Sequence, residues 1–372
     1  MKFTIITHVT HLEHDGMYYG YAPYIREMNI WLKYVEEITV VAPIQNQEKT
    51  AIDLAYHHKA IDFRTIPNFN FLNIKNIILA VLKLPKISWT IYRAMKKADH
   101  IHLRCPGNVG LIGCFVQMLF PKKMKTAKYA GNWDPNAKQP WSYRFQKYIL
   151  RNTFLTRNMQ VLVYGEWQNQ SKNIKPFFTA SYSDSEKEIV QKTDFEEGVN
   201  FIFVGSLTAG KNPLYTIKLI QKLINSTSKI KLNIYGEGSE RVNLERYVVE
   251  NQLENYIVLH GNLDQETLKA AYKESHFVIL PSKSEGWPKA IAEGMFWGCV
   301  PIVTPVSCVP YMLDFGNRGI LLSLNLEQDT SQITSILNDK VKYNAMISSV
   351  VEWSQQYTTN LFETEIQKIL KL

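Results

Sequence analysis

A strand, a loop, a helix and a second strand follow one another in Phe277-Val-Ile-Leu-Pro-Ser-Lys-Ser-Glu-Gly-Trp-Pro-Lys-Ala-Ile-Ala-Glu-Gly-Met-Phe-Trp-Gly-Cys-Val-Pro-Ile-Val303. The short apolar runs at both ends are typical of buried strands, and Pro288 suits the first position of a helix. This order is typical of a parallel α/β sheet. It places Glu285 at the carboxyl end of the first strand and Glu293 about one and a half turns into the helix.

The loop before this helix is suited to an anionic ligand. The backbone N–H groups of Gly286 and Trp287 are predicted to be unpaired donors at the helix start, where a diphosphate is favoured. A plainer interpretation makes Glu285 a solvated loop acid and Glu293 a residue on the polar face of an ordinary helix. The residues around the two carboxylates favour a sugar-nucleotide site instead.

These surroundings resemble the E-x7-E signature of the retaining GT-B glycosyltransferases of family four, the glycosyl transferases group 1 that include many bacterial cell-surface polysaccharide enzymes. The resemblance extends to Pro281-Ser282 before the loop and to Gly298-Cys-Val-Pro-Ile-Val-Thr304 after the helix. It implies that Glu285 contacts the donor sugar and that Glu293 holds the ribose hydroxyls of the nucleotide.

A second loop of this kind occurs in Phe203-Val-Gly-Ser-Leu-Thr-Ala-Gly-Lys-Asn-Pro213. Ligands bind at the carboxyl ends of strands in open α/β sheets, so Gly205 and Lys211 are candidate binding residues. The resemblance implies an arginine and a lysine on the donor diphosphate, and this chain has Ser206 at the arginine position. Half of the cationic clamp is therefore missing, and another basic residue or a hydroxyl group is expected to compensate.

Two further glycines are candidates for nucleotide contact. Gly236, in Tyr235-Gly-Glu-Gly238, resembles the glycine turn that the family places near the nucleotide base, although a plain tight turn explains it equally well. Gly20 lies in the predicted loop after the first strand, where the family has a glycine-rich loop close to the diphosphate.

The reacting centre has two candidates in Asp99-His-Ile-His-Leu-Arg-Cys-Pro106, where the family often has a histidine. The strand register favours His102, whereas the distance to Pro106 favours Arg104. A histidine on a buried strand is more often structural, so the choice between them stays open.

The length of 372 residues predicts two domains. Short β-branched runs alternate with helical patterns in both halves, and a polar stretch from Phe177 to Val199 separates them. We therefore predict an α/β protein with two Rossmann-like doubly wound domains. The resemblance implies that the two domains face each other across a cleft, as in the GT-B fold. The domains are expected at residues 1–180, for the acceptor, and 181–352, for the nucleotide sugar. By resemblance, a terminal helix at 353–372 is expected to pack back on the first domain.

Charge is distributed unevenly along the chain. Residues 64–175 contain 19 lysines and arginines but three acidic residues, which is a net charge of +16, whereas the whole chain carries +8. Large aromatic residues are interleaved with these cations, as in Trp141-Ser-Tyr-Arg-Phe145. The composition favours an anionic membrane surface or a lipid-linked acceptor over a plain solvated surface. Nucleic acid is disfavoured because the sequence contains no helix-turn-helix, RNP-like or zinc-finger pattern.

No cofactor and no catalytic metal is expected, because the sequence has neither a D-x-D pair nor a His/Cys ligand cluster. The four cysteines form no C-x-x-C pair, and two of them lie in settings typical of buried thiols, which favours a reduced compartment. The first residues resemble a strand rather than a signal peptide. These features predict a cytoplasmic protein, peripheral at the inner face of the plasma membrane.

The hypothesis is therefore a metal-independent retaining glycosyltransferase that moves a sugar from a nucleotide-diphosphate sugar to a glycan or lipid-linked acceptor. In the front-face mechanism that the resemblance implies, Lys211 and helix-start donors stabilise the departing phosphate. A GT-B sugar-nucleotide epimerase or phosphorylase is a first alternative. A catalytically degenerate binding or scaffold subunit is a second, and Ser206 is the feature that favours it.

Overall fold

The computed structural model of the chain describes residues 1–50, 52–69, 74–224 and 229–371, and it describes residues 74–81 by their backbone alone. The described residues form two compact units. Unit 1 comprises Met1–Phe178 with Glu363–Leu372, and unit 2 comprises Thr179–Phe362. The polar stretch predicted to separate the domains begins at this division.

Unit 1 alternates strands and helices after an initial group of short strands. Its strands are β1 (Lys2–Ile6), β2 (His11–His14), β3 (Met17–Tyr21), β4 (Glu37–Ala42), β5 (Asp53–Ala55), β6 (Ile61–Thr65), β7 (His100–Cys105), β8 (Met124–Tyr129), β9 (Met159–Tyr164) and β10 (Ile174–Phe177). Its helices are α1 (Ala22–Leu32), α2 (Ile74–Lys97), α3 (Asn108–Val116) and α4 (Trp141–Arg151).

Seven of these strands form a parallel sheet in the order β10-β9-β8-β7-β1-β4-β6. Ile6 lies beside Val41 of β4 and beside Leu103 of β7, and all three side chains are fully buried. Burial on both faces suits the apolar runs of β1, β4 and β9. Strands β7 and β8 instead carry His, Lys and Arg residues between their apolar ones. The order reverses between β1 and β7, so the carboxyl ends of these two strands border the switch point of the sheet.

The segment predicted as a polar, glycine-containing loop after the first strand is a β-hairpin. Strands β2 and β3 pair antiparallel, and β5 pairs with β3 to complete a small three-stranded sheet. The turn is Asp15-Gly16, with φ values of 51° and 72°, which is the left-handed geometry that a two-residue turn requires. Gly20 lies inside β3 opposite His11, so its predicted position in a loop is wrong, and its contact with the diphosphate stays a prediction. The Asp-Gly pair was a usable hairpin signal in the sequence.

Unit 2 alternates strands and helices regularly. Its strands are β11 (Val199–Val204), β12 (Ile230–Tyr235), β13 (Ile257–Gly261), β14 (Phe277–Leu280), β15 (Val300–Val303) and β16 (Ile320–Leu321). Its helices are α5 (Pro213–Ile224), α6 (Arg241–Glu250), α7 (Gln265–Glu274), α8 (Lys289–Phe296), α9 (Val309–Met312), α10 (Leu326–Leu337) and α11 (Lys340–Ser354), and α12 (Thr359–Leu370) crosses from unit 2 to unit 1.

The strands of unit 2 form a parallel sheet in the order β13-β12-β11-β14-β15-β16. All six were predicted from the sequence, and β14 and β15 have the predicted bounds. The order reverses between β11 and β14, which are paired through Phe201 and Phe277. The predicted fold class of two doubly wound Rossmann-like α/β domains is therefore confirmed.

The end of the chain belongs to unit 1 from Glu363 onward. The carboxylate of Glu363 accepts hydrogen bonds from Lys33 Nζ at 2.8 Å and from Tyr34 OH at 2.5 Å, just after α1. Among the residues that the structure describes, no helix has both the length and the apolar character needed to cross a membrane.

Candidate functional site

The switch point of unit 2 brings two loops together. The loop after β11 runs from Gly205 to Asn212, and the loop after β14 runs from Pro281 to Pro288. Since β11 and β14 are neighbouring parallel strands, both loops leave the same edge of the sheet. The backbone N–H of Lys283 donates to the carbonyl of Gly210 at 2.8 Å, which ties one loop to the other. Ligands of doubly wound sheets bind at this position.

Lys211 and Glu285 form an ion pair at this edge. Lys211 Nζ lies 2.6 Å from Glu285 Oε1, although the two residues are 74 positions apart in the chain. The carboxylate side chain is 7% exposed and the lysine side chain 28% exposed. A cation and an anion that are partly withdrawn from water at a switch point are suited to bind a sugar phosphate, because each attracts a different part of the ligand.

The loop after β11 is supported from behind by the turn after β12. A Cβ atom on Gly236 would lie 1.9 Å from the carbonyl oxygen of Gly205, and one on Gly238 would lie 2.3 Å from that of Leu207. The N–H of Leu207 also donates to the carbonyl of Glu237 at 2.9 Å. The glycines therefore allow close approach between two protein loops. Gly236 was predicted to contact the nucleotide, and the structure accounts for it by loop packing.

Ser206 stands where the family has an arginine, and its side chain is exposed at the same loop. Its carbonyl accepts a hydrogen bond from the N–H of Thr208 at 2.9 Å, which shapes the turn. Lys283 was not predicted as a site residue. Its side chain is exposed and its backbone is bonded to the loop that carries Ser206 and Lys211, so it is a candidate for the missing cation.

Helix α8 begins one position later than predicted. Pro288 precedes the helix, and the carbonyl of Pro288 accepts from the N–H groups of Ile291 and Ala292. Gly286 and Trp287 therefore lie before the helix rather than at its first free amides, which is a correction to their prediction as helix-start donors. The Trp287 ring stacks on Trp353 with a centroid distance of 6.0 Å, so it packs inside unit 2.

The carbonyl of Gly286 is held by the loop before α9. It accepts from Ser307 Oγ and from Cys308 Sγ, both at 3.2 Å. These contacts fix the backbone next to Glu285, so Gly286 contributes to the position of that carboxylate.

Glu293 is half-buried on α8 and points to a different group of residues from Glu285. Its carboxylate accepts hydrogen bonds from Ser181 Oγ and, at 3.4 Å, from Tyr272 OH. It lines a cavity of about 10 Å³ together with Ser181 and Tyr182, which is room for a single water molecule. Binding of a ribose by Glu293 remains a prediction. The carboxylate has about four acceptor sites, so it can accept from sugar hydroxyls beside Ser181 and Tyr272.

In unit 1 the structure places His102 inside the sheet. His102 is 1% exposed, and its Nδ1 lies 2.8 Å from Thr126 Oγ1, which also lies 2.9 Å from His100 Nε2. Burial, reinforced by His100, Arg104 and Lys128, holds the pKa of His102 well below its ordinary value. The imidazole is thus a neutral core group, and this position does not support its predicted role at the reacting centre.

Arg104 lies near the carboxyl end of β7, at the switch point of unit 1. Its guanidinium is 3.4 Å from Glu27 Oε2 and lies over the Tyr24 ring at 5.3 Å. The Arg104 side chain is 14% exposed. Of the two candidates, Arg104 is the one that the fold brings to the ligand-binding edge of its sheet.

His8 is a residue of this edge that the sequence reasoning missed. It lies two residues after the end of β1 and is exposed. A Cβ atom on Gly107 would lie 2.8 Å from His8 Nδ1, so the ring packs closely against that glycine. Desolvation and the positive charge of Arg104 lower the pKa of His8 from 6.5 to about 4, while a hydrogen bond to the backbone of Arg104 acts in the opposite direction. A histidine placed just after the first apolar run was the available signal.

Within residues 1–50, 52–69, 74–224 and 229–371, no three His, Cys, Asp or Glu side chains are gathered as a metal site. All four cysteines are free and buried.

Comparison with known proteins adds a family match that covers the site of unit 2. Residues 184–353 match the model of the family described as glycosyl transferases group 1. This segment contains Lys211, Glu285 and Glu293. The match supports a glycosyltransferase.

Two similar proteins match larger parts of the chain. An uncharacterised 41.2 kDa protein in the cps region of Klebsiella pneumoniae is 23% identical, with 72% of this chain and 74% of that protein covered. The poly(glycerol-phosphate) alpha-glucosyltransferase of Bacillus subtilis is 20% identical, with 49% of this chain and 27% of that enzyme covered. The chain therefore spans about a quarter of that second relative.

A solved structure is similar over the entire chain. The crystal structure of Anabaena Alr3699/HepE in complex with UDP and glucose has a TM-score of 0.69 at 14% identity, with 100% of this chain and 99% of that one covered. At this identity the similarity shows the fold, which is that of the GT-B glycosyltransferases.

Proposed function

We propose that the protein is a retaining glycosyltransferase of family four that moves a sugar from a nucleotide-diphosphate sugar to a glycan or lipid-linked acceptor. The observation that carries the proposal is the ion pair of Lys211 and Glu285 at the switch point of unit 2. Glu285 binds hydroxyl groups of the donor sugar, and Lys211 turns to the donor diphosphate as negative charge grows on it. No cofactor or metal is part of this proposal.

Lys283 is proposed as the second cation on the diphosphate. The chain has Ser206 where the family has an arginine, and Lys283 is tied to the same loop through Gly210. Its exposed ammonium group reaches a bound phosphate as a flexible point charge, whereas an arginine binds as a rigid fork. The expected consequence is weaker binding of the donor and not loss of the reaction.

The acceptor is proposed to carry phosphate, and the enzyme to work at an anionic membrane surface inside the cell. The net charge of +16 in residues 64–175 supports this part, as does the Bacillus subtilis relative, whose name gives poly(glycerol-phosphate) as its substrate.

The first test is a thermal-shift and hydrolysis screen of the purified protein against UDP-, GDP-, ADP- and dTDP-sugars. A donor that binds the folded state stabilises it by mass action. We expect one donor to raise the melting temperature in the wild type and to lose this effect in Lys211→Ala. Lys222→Ala is the matched control, because Lys222 forms an exposed ion pair with Glu327 elsewhere in unit 2.

Two results would contradict the proposal. A donor response that survives in Lys211→Ala would place donor binding elsewhere. Binding of a donor without hydrolysis, and without transfer to any acceptor tested, would favour a catalytically degenerate binding subunit. The serine at position 206, where the family has an arginine, suggests this alternative. The stereochemistry is tested separately by NMR of the product, in which retention of the donor's anomeric configuration is expected.

A further inference from the structure

A cavity of about 720 Å³ on unit 1 has the composition of an anion-binding site. It is lined by one face of α4 and by the loop between β9 and β10; the lining residues used below are Arg144, Lys147, Tyr148, Arg151 and Asn169. Its volume lies in the range of ordinary ligand pockets. It belongs to unit 1 alone and shares no residue with the loops that carry Lys211 and Glu285.

The three cations of this cavity come from a single helix face. Arg144, Lys147 and Arg151 are spaced by three and four residues, so their side chains lie on the same side of α4 at 3.6 residues per turn. Like charges at this spacing repel one another. A helix that keeps three of them together is stabilised when an anion lies between them.

The protein itself supplies little negative charge to this group. In the part of the chain that the structure describes, none of the three cations has a carboxylate within 4.0 Å. Lys147 Nζ donates to the carbonyl of Asp134 at 3.1 Å, and Arg151 donates to the carbonyl of Asn169 at 3.3 Å. Each guanidinium has five N–H donors, so most of the donors in the cavity remain available to a ligand.

Lys147 is the most enclosed of the three. Its ammonium group lies 5.8 Å from the centre of the Tyr129 ring and 5.6 Å from that of Trp133. Desolvation lowers its pKa from 10.5 to about 8, while the charge of Asp134 acts in the opposite direction and that of Arg151 lowers it further. A bound anion would raise this pKa again, because an opposite charge favours the ammonium form.

An apolar surface adjoins the cations on the same helix. Trp141, Phe145 and Tyr148 of α4 are 69%, 39% and 63% exposed. The rings of Phe145 and Tyr148 are parallel within 7°, and Tyr148 also lines the cavity. An arrangement of arginines beside exposed aromatic rings is suited to a phosphate that is attached to an aliphatic chain.

We propose that this cavity binds the phosphate or diphosphate group of a lipid-linked acceptor, with Arg144, Lys147 and Arg151 on the phosphate and the aromatic residues of α4 against the chain. The inference rests on the proposed function for the identity of the acceptor, but the phosphate site itself is defined by its own residues.

The test measures binding of three probes to the full chain by calorimetry: farnesyl diphosphate, inorganic pyrophosphate and farnesol. All measurements use the Lys211→Ala background, so that diphosphate binding at the donor loops does not contribute. We expect farnesyl diphosphate to bind more tightly than pyrophosphate, and farnesol to bind least. The double variant Arg144→Gln, Arg151→Gln is expected to weaken farnesyl diphosphate binding about tenfold or more, since charge-assisted hydrogen bonds are lost.

The matched control is Lys231→Gln, Arg246→Gln, which removes the same charge from exposed positions of unit 2. It should bind farnesyl diphosphate like its parent. Since Arg144 and Arg151 are exposed, their variant is expected to fold, which the melting temperature checks; if the pair does not fold, the single variant Arg144→Gln serves.

Three outcomes would overturn the inference. Unchanged binding in the double variant would exclude the cavity as the phosphate site. Equal binding of farnesol and farnesyl diphosphate would mean that the aromatic surface alone binds the chain. Equal binding of pyrophosphate and farnesyl diphosphate would assign the site to a soluble phosphate. The donor screen is also run on Arg144→Gln, Arg151→Gln with Lys211 unchanged. This separates failure of the phosphate site from failure of the proposed function, because a retained donor response supports the transferase whatever the cavity binds.

Discussion

The two switch points of the molecule have the same topology, and each carries a cation paired with a nearly buried carboxylate, but the groups beside the pairs differ. In unit 2 the edge between β11 and β14 carries a nearly buried carboxylate paired with a cation, Glu285 with Lys211. In unit 1 the edge between β1 and β7 carries Arg104 paired with Glu27, beside the His8 imidazole, whose pKa is lowered to about 4. A doubly wound sheet therefore determines where a site lies, while the residues of its loops determine what the site binds.

The loops after the first strand of each unit also differ. In unit 2 the loop from Gly205 leads directly into α5 and packs closely against Gly236 of the turn after β12. In unit 1 the hairpin of β2 and β3 intervenes before α1. The loop that binds the donor diphosphate is thus expected in unit 2.

The largest effect that would distinguish the two edges is expected from Glu285→Gln. Loss of the carboxylate removes sugar binding and leaves Lys211 without its partner, so transfer should fall about 100-fold or more, as for other lost electrostatic contacts in active sites. Kinetics with the donor found in the screen measure this change. Glu327→Gln, in the exposed pair with Lys222, is the control and should retain full activity. Near-normal turnover in Glu285→Gln would mean that the active site lies at another edge.

Gly236→Ala tests whether loop packing defines the edge of unit 2. The new methyl group would lie 1.9 Å from the carbonyl of Gly205, at a residue with φ of 143°, so the folded state should lose on the order of 3 kcal/mol. Urea unfolding measures this loss. Gly210→Ala is the control in the same pair of loops, because its methyl group would meet its nearest neighbour, Thr208 Oγ1, at 3.8 Å. Equal stability of the two variants would refute the support role of Gly236.

Acidic pH should weaken the central strands of unit 1 through their buried histidines. Burial lowers the pKa of His100 from 6.5 to about 4, so between these values the unfolded chain takes up a proton that the folded one does not. The stabilisation is complete above pH 6.5 and declines as the pH falls towards 4, by about 2 kcal/mol for His100 at about pH 5. Unfolding free energies at about pH 7.5 and about pH 5 measure this difference.

The variant His100→Gln should reduce that pH difference by the contribution of one histidine. Thr126→Val is the control, because it removes the hydroxyl partner of His100 and His102 without removing a titrating group. It should lower stability by a similar amount at both pH values. An unchanged pH difference in His100→Gln would mean that another group causes the acid sensitivity.

Of the four effects predicted here, that of Lys283→Ala should be the smallest. If Lys283 replaces the missing arginine at Ser206, its loss should raise the KM for the donor about tenfold with little change in kcat, as for one lost contact to a charged group. Steady-state kinetics with the donor varied give both constants. Lys231→Ala, an exposed lysine on β12, should change neither. A normal KM in Lys283→Ala would leave Lys211 as the proposed cation.

Sequence patterns predicted unit 2 better than unit 1 for a physical reason. The apolar runs of β14 and β15 are short, continuous and bounded by loop residues, so their limits are readable locally. In unit 1 the strand β6 is only partly buried and the hairpin strands β2 and β3 are mixed in polarity. Their stability comes from partners elsewhere in the chain, which local periodicity does not show.

The sequence by itself determined the alternation of strands and helices, the eight-residue spacing of Glu285 and Glu293, and the basic character of residues 64–175. These are local properties of neighbouring residues. The tertiary structure alone decided that Lys211 meets Glu285, that Gly236 supports Gly205, and that His102 is a core residue. Such contacts depend on which strands become neighbours, and strand order is set by packing of the whole sheet and not by any one segment.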